Sequence, residues 1–356
     1  WTTFRRRATA EAGGQAVMGA ASIVLLGFGQ VGRAFLRLFL EKRERLRERY
    51  DIELNLRAVL TSRGGLLTED ALHDPAFGEM KREELPGSAY WKPDLGLDDI
   101  WDKVEPGILV ECLSGDLETG QPALGFIRSA LARGWQVAAS SKGPLAVDMK
   151  GLRAIARRSG VHFKFSAATG AALPAADVGL LSLAGAEVTA LEGILNGTTN
   201  FILTRMGEGV SYPQALAEAT LRGIAEPDPR WDVEGWDTAV KLLILTNLIL
   251  DSDFKLSDVR RTGITGLSAE EVSRAGQQGR KVKLLGRLET KSGRPSLAVA
   301  PFALEPGPPL FMVDGPEKGV TFTTDTMGSL TIIGGRSDPR GAAAALLKDI
   351  LAMGLV

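Results

Sequence analysis

A carboxylate and a lysine stand four positions apart in the second half of the chain, at Asp237 and Lys241. Residues with this spacing share one face of a helix. The sequence that follows Lys241, LLILTNLIL, is apolar nearly all round, which predicts that the helix is buried. Burial favours the neutral form of a lysine, whereas a neighbouring carboxylate favours the charged form. Such opposed influences are common at functional sites and also occur in buried structural pairs, so both residues are candidates for acid–base chemistry.

A second lysine, Lys142, directly follows a predicted strand over residues 136–140 (QVAAS). In open α/β sheets, ligands bind at the carboxyl ends of parallel strands. A lysine in such a loop can also be an ordinary solvated residue. Its position therefore makes Lys142 a candidate for ligand binding without assigning it a role.

A glycine-rich turn, GFGQVG at residues 27–32, lies between a predicted strand (21–26) and a predicted helix (31–50). In a G-x-G-x-x-G turn the glycines allow the tight turn, the close approach of a pyrophosphate, and contact between helix and strand. The helix N-terminus adds free N–H groups and the positive end of a dipole. A glycine-rich surface turn is the alternative, but the flanking strand and helix favour a dinucleotide site. The residues assigned to this site are Gly27, Phe28, Gly29, Gln30, Val31 and Gly32.

The end of the second predicted strand (54–60) indicates which dinucleotide binds. An acidic residue there would bind the ribose hydroxyls and repel a 2′-phosphate. This chain instead continues Thr61-Ser62-Arg63-Gly64, with no carboxylate and with one guanidinium. Because arginine forms charge-assisted bonds with phosphate, we expect Arg63 to favour NADP over NAD, unless it is only a solvated loop residue.

Strands alternate with predicted helices at 31–50, 123–133 and 152–158 in the first half of the chain. This alternation predicts an α/β fold with a parallel sheet covered by helices on both faces. After residue 165 the composition changes to mostly small residues (SAATGAALPAA). Short β-prone runs and one long predicted helix around 237–250 follow. We therefore expect an N-terminal Rossmann-type dinucleotide-binding domain and a second, α+β domain. The expected divisions are 1–20 as a disordered extension, 21–165 as the first domain, 166–330 as the second, and 331–356 packing back on the first.

Composition narrows the classes of partner. The 356 residues carry a formal net charge of −1, so no global basic field favours nucleic acid. The single cysteine, Cys112, excludes an intramolecular disulfide framework and fits the reducing cytoplasm. No apolar run reaches the ~18 residues that span a bilayer. Composition therefore favours neither nucleic acid nor a membrane as the main partner.

Three segments, in the same order along the chain, resemble motifs of the homoserine dehydrogenases. SSKGPLA at 140–146 resembles "TANKGPLA", with Ser141 in place of asparagine, and LNGTTNFIL at 195–203 resembles "NGTTNYIL". GIAEPDPRWDVEGWDTAVKL at 223–242 resembles "GYAEPDPxxDVxGxDxAxKL", with Ile224 in place of tyrosine. The resemblance runs from about residue 23 to the C-terminus. It implies NAD(P)-dependent interconversion of L-homoserine and L-aspartate 4-semialdehyde, a step in threonine, methionine and isoleucine biosynthesis.

The resemblance also implies roles for individual residues. Lys241 would be the proton donor and Lys142 would lie beside nicotinamide and substrate, although these two roles can be exchanged. Substrate contacts would come from Glu226, Asp237, Asp232, Gly197 and Thr198. Further cofactor contacts would come from Ser114, Lys142, Gly223 and Gly335, the last in a Gly-Gly-Arg loop that includes Arg336. A homodimer formed through the second domain is implied as well.

One motif departs from the family. Many members bind a sodium ion with a glutamate and backbone carbonyls in an "EATVGGGIP" segment, and here Ser166 replaces the glutamate in SAATGAALP. The carbonyls of Thr169, Ala171 and Leu173 remain as weak candidate ligands, or the segment is a hinge of small residues between domains. We also expect a short form without an ACT domain or an aspartokinase domain.

Two other interpretations stay open at this stage. The first is a related NAD(P) oxidoreductase that acts on another small amino-acid aldehyde or alcohol, which the substitutions at Ser141, Ser166 and Ile224 would allow. The second is a non-catalytic NADP-binding protein. Retention of Lys142 and Lys241 with the carboxylates between them argues against the second interpretation.

Overall fold

The computed structural model describes residues 19–291, 293–335 and 338–353. The strands are β1 Gly19–Leu26, β2 Ile52–Thr61, β3 Gly64–Leu67, β4 Trp91–Pro93, β5 Ile108–Glu111, β6 Gln136–Ala139, β7 Phe163–Lys164, β8 Val188–Ile194, β9 Val259–Arg261, β10 Lys281–Lys291, β11 Arg294–Leu304, β12 Gly319–Thr324 and β13 Ser329–Ile333. The helices are α1 Gln30–Tyr50, α2 Ala76–Glu79, α3 Leu97–Trp101, α4 Ala123–Ala132, α5 Gly143–Ser159, α6 Ser166–Thr169, α7 Ala175–Asp177, α8 Gly197–Gly207, α9 Tyr212–Leu221, α10 Arg230–Val233, α11 Trp236–Ile249, α12 Ala269–Gln277 and α13 Pro339–Leu351. Residues 1–18 of the expected extension and Arg336 lie outside the described residues.

The first sheet has the order β4-β3-β2-β1-β5-β6-β7 in the described part of the chain. Strands β2, β1, β5, β6 and β7 are neighbours in this order and run parallel. Strands β3 and β4 add an antiparallel edge next to β2. The central strand β1 is buried on both faces, which is why it is a continuous apolar run rather than an alternating one. Ile23 and Leu25 pack with α1 and α13 on one face, and Val24 packs on the side of α4 and α5. Gly19 and Ala20, assigned to the extension from sequence, are the first two residues of β1.

The second sheet has the order β13-β12-β8-β10-β11-β9 among the described residues. Its pairs are antiparallel except for β9 and β11. Helix α11 packs against this sheet, and its apolar side chains are buried around most of its circumference. The apolar run after Lys241 predicted this burial, and the predicted helix 237–250 differs from α11 by one residue at each end.

In the described part of the chain, two segments cross between the two sheets. The first crossing follows β7 and contains α6 and α7, and the second connects β13 to α13. Leu346 and Ile350 of α13 are buried with Phe35 of α1, so the C-terminal helix returns to the first sheet. No helix in the described residues combines the length and the apolar character that a membrane crossing requires.

The sequence placed the helix after β6 too late. A helix was expected at 152–158, but α5 begins at Gly143, immediately after Lys142. Pro144 in the first turn fits a helix start, because its fixed φ suits the helix and its missing N–H has no partner there. Lys142 is consequently fixed at a strand–helix junction rather than carried on a long loop.

Candidate active site

The glycine-rich turn between β1 and α1 gives each glycine a different environment. Gly27 has a φ of +98°, and a β-carbon there would lie 2.6 Å from the carbonyl oxygen of Cys112. A β-carbon on Gly32 would collide with the carbonyl oxygen of Gly27, so the helix can approach the strand only without one. Gly29 has no atom within 4 Å of that position, which leaves its face open to a ligand. The side chain of Phe28 is buried in the core, so this residue offers a cofactor its backbone alone.

Two arginines lie at the end of β2. Arg63 is exposed in the tight turn between β2 and β3, where its backbone N–H donates to Thr61 Oγ1 at 3.2 Å. Arg82 reaches the same turn from a distant loop and donates to Ser62 Oγ at 2.8 Å. Sequence reasoning missed Arg82, since nothing in its charged loop indicates where it folds.

Helix α11 holds the predicted acid–base pair. The side chain of Lys241 is 16% exposed, and its Nζ donates to Asp237 Oδ2 at 2.7 Å and to the carbonyl oxygen of Leu195 at 3.1 Å. An ammonium group has three donors, so one remains for a substrate oxygen. The i,i+4 spacing on one helix face produces this geometry.

Lys142 approaches the same carboxylate from the other domain. Its Nζ lies 3.3 Å from Asp237 Oδ1, so one aspartate contacts two lysines, each through a different oxygen. The charge of Asp237 outweighs the partial burial of Lys142 and, with the carboxylates of Asp232 and Glu226, raises the pKa of this lysine. Three carboxylates of the second domain therefore act on one lysine of the first.

Asn196 joins the carboxylates to each other. Its Nδ2 donates to Asp232 Oδ1 at 2.7 Å and to Asp237 Oδ2 at 2.9 Å. Its Oδ1 accepts the N–H of Thr199 at 2.8 Å and so caps the N-terminus of α8. Asn196 was not among the expected site residues, although an asparagine before a helix is a recognised start signal.

The environment gives the two aspartates different pKa values. Burial opposes ionisation of Asp237, but the ammonium groups of Lys241 and Lys142 and the Asn196 amide together hold its pKa below the usual range. Burial and the negative charge of Asp237 raise the pKa of Asp232, although hydrogen bonds from Thr198 and Asn196 partly offset them. Asp237 consequently stays ionised to a lower pH than Asp232.

A buried glutamate supports the strand end that carries Lys142. Glu111, at the end of β5, is fully buried, and its Oε2 accepts hydrogen bonds from Ser141 Oγ at 2.7 Å and Ser141 N at 3.2 Å. Its Oε1 accepts the N–H of Leu113 at 2.7 Å. Burial raises the pKa of Glu111, and these hydrogen bonds oppose the rise. The acidic residue inside the apolar run GILVECL was a signal that sequence reasoning did not use.

The other expected site residues are more dispersed. Gly197 and Thr198 start α8 beside Asn196, and Thr198 Oγ1 donates to the carbonyl oxygen of Ile224 at 3.0 Å. Gly335 packs against the first interdomain crossing, because a β-carbon there would lie 2.5 Å from Leu173 N. Exposed positions on loops are occupied by Ser114, Gly223 and Glu226.

The segment proposed for sodium does not fit a metal ion well. The hydroxyl of Ser166 donates to Asp349 Oδ1 at 2.7 Å and accepts from Lys348 Nζ at 2.7 Å. Both hydrogen bonds of this hydroxyl are therefore made with residues of α13. The carbonyl oxygen of Gly170 accepts a hydrogen bond from Lys318 Nζ at 2.6 Å. The amino groups of Lys348 and Lys318 thus contact this segment directly, at Ser166 and Gly170.

Comparison with known proteins identifies the family. One family model, homoserine dehydrogenase, matches residues 174–351, and a second, homoserine dehydrogenase NAD binding domain, matches residues 27–166. The chain is 34% identical over 334 residues to homoserine dehydrogenase from Methanocaldococcus jannaschii, covering 92% of this chain and 97% of that protein. It is 32% identical over 338 residues to an NAD(+)-dependent homoserine dehydrogenase from Pseudomonas canavaninivorans, with 92% and 95% coverage.

Solved structures agree with the sequence comparisons. A putative homoserine dehydrogenase from Archaeoglobus fulgidus has a TM-score of 0.82 at 31% identity, covering 93% of this chain and 98% of that one. A hyperthermophilic archaeal homoserine dehydrogenase mutant in complex with NADPH has a TM-score of 0.80 at 25% identity, with 94% and 98% coverage. The expected fold class is confirmed, and neither alternative function gains support. With two matching family models and 34% identity to a curated member over nearly the whole chain, this protein belongs to the homoserine dehydrogenase family of oxidoreductases.

Proposed function

We propose that this enzyme interconverts L-homoserine and L-aspartate 4-semialdehyde with a preference for NADP, as a step toward threonine, methionine and isoleucine. The observation that carries the proposal is the bridge formed by Asp237 between Lys142 and Lys241, at 3.3 Å and 2.7 Å. It places two amino groups where the dinucleotide-binding domain meets the second domain, beside the carboxylates of Asp232 and Asp237. A primary alcohol with an α-ammonium group is complementary to this set of charges.

The carboxylates bind the amino acid in this proposal. Asp232 and Glu226 pair with the substrate ammonium. Asn196 holds Asp232 beside Asp237, and the negative charges of Asp232 and Glu226 both act on Lys142. Asp237 is largely occupied by the two lysines, so its main task is to hold them in place. Thr198 and Gly197, at the start of α8 beside Asn196, complete the substrate site in this proposal.

Lys241 is the proton carrier in this proposal. Its Nζ is held by Asp237 and by the carbonyl oxygen of Leu195, which leaves one N–H direction for the substrate hydroxyl. When bound, the nicotinamide dinucleotide supplies or accepts the hydride. Lys241 gives the proton to the alkoxide during reduction and takes it back during oxidation. Lys142, 37% exposed at the strand end, stabilises negative charge on the same oxygen.

The dinucleotide binds at the β1–α1 turn in this proposal. Gly29 leaves the approach to the N-terminus of α1 open, and no acidic residue lies in the first turn of that helix. Arg63, with Arg82 beside it, favours a 2′-phosphate. One relative is described as NAD(+)-dependent, and a mutant of another was solved in complex with NADPH. The preference of this chain is therefore argued from its own residues.

A homodimer in the cytoplasm completes the proposal. Met327, Leu330 and Ile333, at or beside the edge strand β13, are exposed apolar residues, and a second copy would cover them. The free thiol of Cys112 is buried, which is compatible with a reducing compartment. Sedimentation equilibrium distinguishes a dimer from a monomer directly.

The decisive experiment measures absorbance of the reduced nicotinamide with purified enzyme, L-homoserine and each oxidised dinucleotide. We expect turnover with both cofactors and a higher kcat/KM with NADP. Absence of turnover with homoserine, while a dinucleotide demonstrably binds, would refute the substrate assignment. An NAD efficiency at least equal to that of NADP would refute the preference alone.

A further inference from the structure

Lys318 is a buried lysine that the proposed mechanism does not use. It precedes β12 and is 1% exposed. Its Nζ donates to the carbonyl oxygen of Gly170 at 2.6 Å, and its own carbonyl oxygen accepts the N–H of Gly334 at 2.9 Å. One residue of the second domain therefore bonds to both segments in which the chain crosses between domains.

The two crossings are in close contact at this point. Gly335 in the second crossing leaves no room for a β-carbon against Leu173 N in the first. Ala171, next to Gly170, has a φ of +51°, a left-handed conformation that is unfavourable for a residue with a side chain. Such a conformation persists only where surrounding contacts impose it, and the hydrogen bond from Lys318 to Gly170 is one of these contacts.

The charge of Lys318 has little compensation. None of the ion pairs formed among the described residues includes it. Burial and the nearby ammonium of Lys241 lower its pKa to about 7, against the opposing charges of Asp237 and Asp338. An apolar side chain would fill this space without the burial penalty of an amino group. Stability alone therefore does not explain a lysine here, whereas its proximity to Lys241 and Asp237 connects it with the active site.

We propose that the side-chain nitrogen of Lys318 replaces a metal cation at the turn formed by Gly170 and Leu173, and that this enzyme works without such an ion. The inference rests on the proposed function, because it assigns Lys318 to the same site. Ser166, where a charged ligand was expected, is bonded to Asp349 and Lys348 instead. The chain supplies its own hydrogen-bond donor at this turn.

Lys318 is a positioning residue in this scheme. Its hydrogen bonds to Gly170 and Gly334 set the distance between the domain that binds the dinucleotide and the domain that binds the substrate. Hydride transfer depends steeply on that distance. Loss of the side-chain hydrogen bond to Gly170 should lower kcat more than it weakens the binding of either ligand.

The first experiment uses the wild-type enzyme. Homoserine turnover is measured in sodium, potassium and choline chloride at equal ionic strength, after removal of metal ions by gel filtration. We expect the same kcat in all three salts. Saturable activation by sodium or potassium would overturn the proposal, while turnover itself would leave the proposed function standing.

The second experiment compares Lys318→Met with Lys283→Met. Lys283 is also 1% exposed and lies in the same domain, but it bonds to Asn200, Val313 and Asp314. We expect Lys318→Met to lower kcat by about tenfold to a hundredfold with an unchanged dinucleotide Kd. We also expect a larger isotope effect with homoserine deuterated at its hydroxyl-bearing carbon. Lys283→Met should lower thermal stability and change neither kinetic measure.

Three results of that comparison would overturn the positioning role. These are an unchanged kcat in Lys318→Met, an unchanged isotope effect, or equal kinetic losses in both variants. If Lys318→Met does not fold, the cation measurement on the wild-type enzyme still decides whether the turn requires a metal ion.

Discussion

The ammonium of Lys142 lies 3.3 Å from the carboxylate of Asp237, and the two residues belong to different domains. The same carboxylate binds Lys241 on its own helix at 2.7 Å. Asp237 thus links the strand–helix junction of the first domain to the buried helix of the second. Any change in the relative position of the domains would alter the spacing of the two amino groups, so catalytic geometry and domain arrangement are coupled.

Replacement of Lys241 tests the identity of the proton carrier. Lys241→Met should lower kcat by ~10²-fold or more, because the substrate hydroxyl loses its acid–base partner. Steady-state kinetics at saturating homoserine and dinucleotide provides this measurement.

Lys142→Met is the matched comparison for that experiment. It should lower kcat less than Lys241→Met does, since Lys142 stabilises charge without carrying the proton in our assignment. Near-wild-type kcat in Lys241→Met would exclude it as the acid. A larger loss of kcat in Lys142→Met than in Lys241→Met would exchange the two roles.

Substrate affinity should depend on pH through Asp232. Its pKa is raised by burial and by Asp237, so its charge is present above that raised pKa and is lost first as the pH falls. Asp237 keeps its charge, because its pKa is lowered. We therefore expect the KM for homoserine to rise as the pH decreases, with a smaller change in kcat.

Asp232→Asn should remove this pH dependence. At neutral pH its KM should be about tenfold higher, the effect of losing a charge-assisted hydrogen bond of ~1.5 kcal/mol. Over the acid range its KM should then be flat. A KM that still rises on acidification in Asp232→Asn would assign the titration to another group.

Most features that the sequence predicted correctly depend on local sequence patterns. The G-x-G-x-x-G turn lies between β1 and α1, and the pair Asp237 and Lys241 shares a face of a buried helix, because each depends on residues within one turn of the chain. The alternation of strands and helices likewise predicted the parallel part of the first sheet.

Contacts between distant segments could not be predicted in the same way. Arg82 reaches Ser62 across 20 positions, and Lys318 reaches Gly170 across 148. Neither spacing has a periodicity that a local pattern can reveal. The start of α5 at Gly143 was missed for a different reason: glycine followed by proline commonly indicates a loop, yet proline is also favoured in the first turn of a helix.

Cofactor preference should depend on Arg63. Arg63→Ala should raise the KM for NADP about tenfold or more, because a charge-assisted bond to phosphate contributes ~1.5–3 kcal/mol. The KM for NAD, which lacks the 2′-phosphate, should not change. Arg82→Ala should have a smaller effect in the same direction, since Arg82 contacts Ser62 in the same turn.

Arg45→Ala is the control for that comparison, because Arg45 is an exposed arginine on α1. It should leave both KM values unchanged. If Arg63→Ala also leaves the KM for NADP unchanged, Arg63 is an ordinary solvated residue and the preference has another origin.

Glu111 should contribute to activity through the position of Lys142. Its carboxylate accepts hydrogen bonds from Leu113 N, Ser141 N and Ser141 Oγ, and all three groups are donors. In Glu111→Gln an amide NH2 must face at least one of them. The mismatch should cost about 1–3 kcal/mol of stability and displace Ser141, so kcat/KM should fall together with the melting temperature.

The pH dependence of stability provides an independent check on Glu111. Because burial raises its pKa, the folded state holds the proton more tightly than the unfolded state. Its contribution is therefore complete below the usual glutamate pKa and declines as the pH rises through the raised value. Chemical denaturation across this range should show the decline in wild type and its absence in Glu111→Gln. Ser141→Ala, which removes one donor and keeps the carboxylate, should retain the decline. If the free energy of unfolding has the same pH profile in wild type and Glu111→Gln, Glu111 ionises in the folded protein without a penalty.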